Sequence, residues 1–524
     1  MPKPFEVPSA RPVENGITVV GPEAWSHLLN RALSVLTGNG EPNHFRQIVA
    51  TDLRGNGFFV NDNCWWIYTD AQCNGVSTFG FRPWFPDDLR AVDTYTWKMF
   101  LPYQSDGSAK EGNRIVPGGA LPFNYSPGSQ ANPRVARSFY SNYFWNDAKT
   151  WHPDHDELLD FQLLHAITIA DSLLWQGKRD LVREIWPHIT RFLAYLRHRP
   201  QRVGLLWVGV QGSQIEFSHG TPRYSLTTQW YWLCALESVA ELAEWLGDHG
   251  EAERCRAEAD TVRAAIRAFR MPGGWYASAR TEDFSGFLGD GSLRGPSGYF
   301  ETHANCAPAL FGVLPEEHAP AIAERILSIP DMTKNHIGLY NFPARPPQEI
   351  DDNARFPPPG VHVNGGWWWL TAGETMALLA RAEHSELGPQ SAALFEDHDA
   401  RYTIDYYNEY GANKGEQWKD KRRPNQAGVT NVGAWGNLLR SVFGLHITAQ
   451  TLMVRPHLPN EVEALDLRYP VRVGTSHLLI RAERGKETHA ALDGKNVPWD
   501  PARGALVPVR RICDGSKLTV ILGK

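Results

Sequence analysis

The chain has 524 residues, 42% of them hydrophobic and 21% charged, a balance that gives a folded protein with an ample core and excludes disorder as its main state. Its 52 lysines and arginines against 58 aspartates and glutamates leave a formal net charge of -6. That charge provides no electrostatic footprint for nucleic acid or an anionic membrane and favours a neutral or cationic partner.

Met1–Ala10 (MPKPFEVPSA) is polar and proline-bearing. No basic region followed by an apolar stretch is seen there, and no run of about 18 or more apolar residues occurs, so a cytoplasmic protein without a membrane span is expected. Six cysteines are scattered from Cys64 to Cys513 without zinc-like spacing and read as buried free thiols. Twenty tryptophans supply flat amphipathic surfaces, which build core when buried and stack on sugar rings when they line a cleft.

From residue 22 to about 443, apolar residues recur at helical spacing in some twelve segments that fall into pairs. Asn61–Asp70 (NDNCWWIYTD) comes early and sets Trp65, Trp66 and Asp70 on one helical stretch. Trp151–Glu157 (WHPDHDE) places Trp151, His152, Asp154, His155 and Asp156 where an apolar helix begins, a position that favours acids whatever their role. A metal site is one reading of that segment. Because it matches no metal-binding helix motif, hydrogen bonding to sugar hydroxyls is preferred.

The pairing is visible in Asp156–Trp175 followed by Asp180–Leu196, and in Thr227–Leu246 followed by Glu251–Phe269. It recurs in His303–Phe311 with Glu317–Leu327, and in Trp367–Arg381 with Pro389–Tyr407. In each pair one helix is apolar nearly all round and the next is half charged. The first kind belongs inside and the second outside, so six pairs predict two concentric rings, an (α/α)6 barrel. Links within pairs are short and links between pairs are long, which places the functional loops at one rim.

Two of those loops carry candidate acids. In Gly204–Phe217 (GLLWVGVQGSQIEF), Glu216 is the single acid among Trp207, Val208, Val210, Ile215 and Phe217. An apolar setting disfavours the charged form and raises a carboxyl pKa, as a general acid requires, although a solvated loop glutamate fits the same residues. Trp207 and Gln211 of this loop are candidate substrate contacts. Ile404–Trp435 offers Asp405, Glu409 and Glu416, any of which could face Glu216 across the barrel mouth or serve as a capping or surface acid. Between them, His362–Glu374 (HVNGGWWWLTAGE) brings His362, two glycines and Trp367 to a helix start, which suits a ligand rim or a tightly packed one.

After about Gly444 the pattern changes to short alternating stretches, among them Leu452–Pro456, Val471–Gly474, Leu478–Arg481 and Leu518–Leu522. The expected organisation is therefore mainly α, with a catalytic barrel over 1–443 and a small C-terminal β domain over 444–524.

Several segments resemble a known group. WHPDHDELLDF resembles the place where (α/α)6-barrel glycosidases hold an acidic substrate-binding residue, and GSQIEF with the helix after it resembles their general-acid loop. VNGGWWWLTAGE resembles their Asn-Gly-Gly-Trp segment, GEQW their general-base loop, and LMVRPHLP the start of their terminal β domain. On these residues, roughly 44–524 resembles the glucoamylase, debranching-enzyme amylo-glucosidase and maltose/kojibiose-phosphorylase group. No N-terminal β-sandwich of the size many relatives have is found.

The resemblance implies Glu216 as general acid and Glu416 as general base, with Asp405 or Glu409 as alternative bases and Asp156 and Trp66 in the innermost subsite. The reaction expected is inverting, exo-acting hydrolysis of a short oligosaccharide or small glycoside without metal or cofactor. Rival readings are an inverting phosphorylase, a sugar epimerase or isomerase using His155, His303 and His362, and a non-catalytic sugar-binding protein.

Overall fold

Two kinds of helix alternate along the chain, and their side chains decide which ring each joins. The computed structural model describes residues 16–37, 48–60, 69–111, 114–122, 124–128, 135–139, 159–199, 201–208, 223–281, 287–288, 300–329, 338, 341–342, 369–401 and 429–523. Twelve α-helices lie among them. They are α1 (Glu23–Thr37), α2 (Ala71–Phe81), α3 (Asp87–Lys98), α4 (Leu159–Gln176), α5 (Arg179–Arg197) and α6 (Leu226–Leu246). The series continues with α7 (His249–Ile266), α8 (Thr302–Leu310), α9 (Ala319–Leu327), α10 (Trp369–Arg381), α11 (Leu387–Arg401) and α12 (Val429–Phe443).

Helix α4 is buried along its whole length, whereas α5 buries only a stripe that includes Val182, Ile185, Ile189, Phe192 and Leu196. An all-round apolar helix must be surrounded, and a one-sided helix must face solvent with its other side. The even-numbered helices accordingly pack in the order α2, α4, α6, α8, α10, α12 and back to α2, which closes the inner ring. The odd-numbered helices cover it: α1 rests on α12, α3 on α4, α5 on α4 and α6, α7 on α6, α9 on α8 and α10, and α11 on α10. This is the (α/α)6 barrel expected from the alternation.

Connections from inner to outer helices are brief. Gly177 and Lys178 join α4 to α5, and Gly247 and Asp248 join α6 to α7, with Gly247 at φ 85 ending its helix in the left-handed region. Asp248 then caps α7 by accepting the Glu251 N–H at 3.1 Å. The returns from outer to inner helices are long, so every inner helix starts at the same rim.

Closure is tightest where the last inner helix meets the first. Gly433 and Gly436 of α12 lie against Ser77, Gly80 and Phe81 of α2. A Cβ on Gly433 would sit 2.4 Å from the Ser77 Cβ, and one on Gly436 would sit 2.8 Å from the Gly80 carbonyl carbon. At the opposite end from the rim a buried ionic cluster ties this seam to its neighbours. Asp171 of α4 pairs with Arg82, just past α2, at 2.9 Å and with Arg440 of α12 at 2.9 Å, while Arg82 also holds Asp93 of α3 at 3.1 Å.

Above this cluster the barrel interior is filled. The Arg440 guanidinium lies 3.4 Å over the Phe79 ring, Phe79 packs on Phe311 at 4.8 Å, and Phe311 packs on Tyr231 at 5.7 Å. The barrel axis is therefore filled at the end away from the inner-helix starts.

The chain turns from helix to sheet at Gly444, where φ is 58 and a Cβ would collide with the Arg455 carbonyl. A four-stranded sheet has the order 445–447, 451–454, 504–508, 499–500. A six-stranded sheet has the order 17–20, 464–473, 476–485, 516–523, 489–492, 495–497. Alternate residues such as Leu478, Ile480 and Ala482 point inward, as the period of two requires. The edge strand Ile17–Val20 comes from the N-terminal segment and pairs antiparallel with Ala464–Leu467.

These sheets meet the barrel at its closed end. The Gly474 N–H donates to the Trp175 carbonyl at 2.9 Å, and Arg472 pairs with Asp87. Among the described residues Cys234, Cys255 and Cys306 are buried free thiols as expected, but Cys513 is exposed, because it lies in the turn before the last strand.

The rim is fastened by a device repeated in successive helices. At the fourth residue of α4, Gln162 accepts the Leu121 N–H at 2.8 Å and donates to the Leu121 carbonyl. At the fourth residue of α6, Gln229 does the same for Leu206, at 2.8 and 3.0 Å. At the fourth residue of α8, Asn305 does it for Tyr276, at 2.9 and 3.0 Å. Each amide replaces a missing strand partner for one rim residue, and losing it would leave two buried backbone groups unpaired, at about 1–3 kcal/mol apiece.

Two predictions follow from the seam. Gly436→Ala should destabilise the protein by about 1–3 kcal/mol, read as a lower denaturant midpoint, because the added methyl meets backbone. Asp171→Asn should cost about 3–5 kcal/mol by leaving two buried guanidinium groups short of their counter-charge. The paired arginines overcome the upward push of burial on the Asp171 carboxyl and hold it below its ordinary 3.8. Its contribution is thus complete above pH 3.8 and is lost as pH falls through the lower folded value. The gap in thermal midpoint between the wild type and Asp171→Asn should be constant above about pH 5 and narrow only in stronger acid.

Candidate active site

The first turns of the inner helices carry polar residues that an all-apolar core would not. Asp160 of α4 accepts a hydrogen bond from Thr228 of α6, and the neighbouring Thr227 donates to Glu301, just before α8, at 3.3 Å. Tyr231 of α6 is 2.8 Å from His303 Nε2 on α8, and His303 Nδ1 is 2.6 Å from Glu374 on α10. Asp160, His303 and Glu374 are all 0% exposed. The layer continues the Phe79–Phe311–Tyr231 column toward the inner-helix starts and is wholly buried.

The electrostatics of that layer are dominated by burial. Burial pushes the Glu374 carboxyl up, and the attraction of His303 does not cancel it. For His303 burial pushes down, but Glu374, with Glu301 and Asp160 beyond it, pushes up by more. Both shifts favour retaining a proton in the pair. His165, one turn below Gln162, shows the contrast. It is buried against Phe100 with its Nε2 2.8 Å from the Pro122 carbonyl and no charged partner among the causes of its shift, and burial takes it down to about 4.

Of the residues expected at the site, Trp207 is half-buried next to the clamped Leu206 and meets Tyr224 edge-on at 5.1 Å. Asp70 was expected on a helical stretch but ends a two-residue strand, opposite Asn124 and directly before α2. The backbone is extended there because it pairs with a rim strand before the helix can begin. His303, expected to serve an epimerase, is fully buried with both ring nitrogens bonded to protein groups.

Trp65, Trp66, Trp151, His155, Asp156, Gln211, Glu216, His362, Trp367, Asp405, Glu409 and Glu416 lie outside the described residues. Asp160, Tyr231, Glu301 and Glu374 were not anticipated. The available signal was a polar residue within an otherwise apolar inner helix, as with the glutamate in Trp369–Arg381.

Among the described residues no group of three or more His, Cys, Asp or Glu could hold a metal ion, and no helix is long and apolar enough to cross a membrane.

No protein-family model matches the chain, and no curated protein matches it by sequence. Among solved structures it is similar to a protein described as a sialidase, at 13% identity and a TM-score of 0.51, covering 96% of this chain and 40% of that one. It is also similar to a GH78 family rhamnosidase of Bacillus sp. GL1, at 13% identity and a TM-score of 0.54, covering 91% of this chain and 42% of that one. The chain thus spans about two fifths of the length of these proteins. At such identity the likeness is one of architecture, and the chain has the helical-barrel fold on which glycoside hydrolases of this kind are built.

Proposed function

We propose that the protein is an inverting glycoside hydrolase, with Glu216 as general acid and Glu416 as general base. The observation that carries the reading is the order of the inner ring. The segment bearing Glu216 runs into α6 and the segment bearing Glu416 runs into α12, and these two helices stand opposite one another, three places apart in a ring of six. Acids delivered from opposite walls of one mouth can flank a glycosidic bond, one protonating the leaving oxygen while the other activates water on the far face. For that water to fit, the carboxyl groups must stand about 6.5–9.5 Å apart.

Exo-action is part of the same proposal, and the filled axis leaves no passage through the barrel for a continuing chain. A short oligosaccharide or small glycoside suits such a site. Trp207 at the rim offers an apolar face of the kind that stacks on a sugar. The likenesses to a sialidase and a rhamnosidase agree with sugar chemistry on this fold.

The test is turnover over a panel of α- and β-linked disaccharides and aryl glycosides, with and without added phosphate. Glu216→Gln should lower kcat on the order of 10²–10⁴-fold with an unchanged thermal midpoint. Glu416→Gln should be comparably impaired, while Asp405→Asn and Glu409→Gln retain most activity. Near-normal turnover by Glu216→Gln would refute the assignment, and sugar release that requires phosphate would turn the reading to a phosphorylase.

A further inference from the structure

The end of the barrel away from the rim gathers cations that its acids do not balance. Three pieces of chain meet there: α3, the Gly177–Lys178 link from α4 to α5, and the turn at Gly474 between strands 464–473 and 476–485. A Cβ on Gly177 would lie 3.1 Å from the Gly474 Cα, so the link and the turn touch. Arg90 of α3 donates from Nη1 to the Gly474 carbonyl, and Arg472, just before the turn, pairs with Asp87 at the start of α3. Lys178 reaches the same helix, donating from Nζ to the Thr94 hydroxyl at 3.1 Å, one turn beyond Arg90.

The acids nearby are already engaged. Asp93 and Asp171 are matched by Arg82 and Arg440 in the buried cluster, Glu184 of α5 pairs with Lys98 at 2.7 Å, and Asp514 near Arg472 pairs with His477. Asp87 is taken by Arg472. Arg90 and Lys178 are left with no carboxylate paired to them, an excess of two positive charges. Arg90 is only 7% exposed, and its Nε and Nη2 have no hydrogen-bond partner; the Arg472 Nε has none either. Burial and the nearby Arg472 bring Arg90 down to about 10, which leaves it charged at neutral pH. A guanidinium covered in this way is costly unless an opposite charge meets it.

We propose that this junction binds one free, doubly charged tetrahedral oxyanion of the phosphate class between Arg90, Arg472 and Lys178. A dianion cancels the excess of two charges, whereas chloride or a carboxylate cancels half of it. Guanidinium forks offer paired N–H donors at the spacing of phosphate oxygens, and the Lys178 ammonium adds a point charge. The unpaired nitrogens lie below the surface, and Asp87, whose side chain is 80% exposed, is the partner that swings out to admit the ion. Once seated, the ion ties α3 and the α4–α5 link to the six-stranded sheet and acts as a joint between barrel and sheet.

The site does not rest on the glycosidase reading, and its test needs no turnover. Equilibrium dialysis of the full chain against inorganic phosphate, in chloride buffer of fixed ionic strength, should show one ion bound per chain and displaced by sulfate. The thermal midpoint should rise by about 2 °C or more and saturate over the same concentrations. Lys178→Gln and Arg472→Gln, which change partly exposed side chains, should keep the wild-type circular dichroism, weaken phosphate binding about tenfold or more and flatten the rise. Asp87→Asn should tighten binding by removing the acid that competes for Arg472. Phenyl phosphate should displace the ion poorly because the donors are covered, and equal displacement would overturn the assignment to a free ion. A wild type that binds no phosphate, or whose midpoint follows ionic strength alone, overturns the site. Undiminished binding in both Lys178→Gln and Arg472→Gln overturns it as well, because the ion would then sit elsewhere, as at the mouth of a phosphorylase.

Discussion

A barrel made of consecutive hairpins must bring its last inner helix back against its first, and the rest of the molecule depends on that seam. Two features of the sequence make it possible. Glycines at 433 and 436 remove the side chains that would keep α12 from α2, and Asp171 engages Arg440 from one side and Arg82 from the other, across 269 and 89 residues of chain. Buried ion pairs are weak evidence for net stability, because desolvation offsets much of their attraction. Their value here is geometric, since the pairing forms only where Arg440 of α12 faces Asp171.

The seam also decides where chemistry can occur. With the ionic cluster and the aromatic column filling one end, and with the sheets docked there through Gly474 and Arg472, the rim where the inner helices start is the end left for a site. Six helix N-termini converge on it, and their positive ends favour carboxylates such as Asp160. The amide clamps at Gln162, Gln229 and Asn305 hold rim residues to those same first turns. The described ends of the rim segments are therefore fixed to the scaffold.

Much of this fold was legible in residue order. Leu226–Leu246 is apolar all round and is followed by the half-charged His249–Ile266, and the structure places them inside and outside as that contrast demands. Strands such as Ser476–Gly485 show the alternation that named them. What escaped notice depends on contacts between distant residues. His303 and Glu374 are 71 positions apart, and neither has a local pattern that announces the pair. The clamps use an ordinary Gln or Asn whose partner is backbone, and backbone has no sequence signature. Ile17–Val20 reads as a terminal strand without a partner until it is seen beside Ala464–Leu467. For the site, the acids proposed from composition and resemblance lie outside the described residues, and the buried polar layer was not foreseen, because one glutamate among apolar residues looks like an exposed position until every face of its helix is known to be buried.

The central claim is that water, activated on the far side of the sugar, displaces a leaving group protonated from the near side. Time-resolved proton NMR of the first sugar released from a defined glycoside tests it most directly. The account predicts that the initial product has the anomeric configuration opposite to the substrate, with the other anomer appearing only at the rate of mutarotation. Release with retained configuration would contradict it, because that outcome requires a covalent intermediate on a carboxylate much nearer its partner.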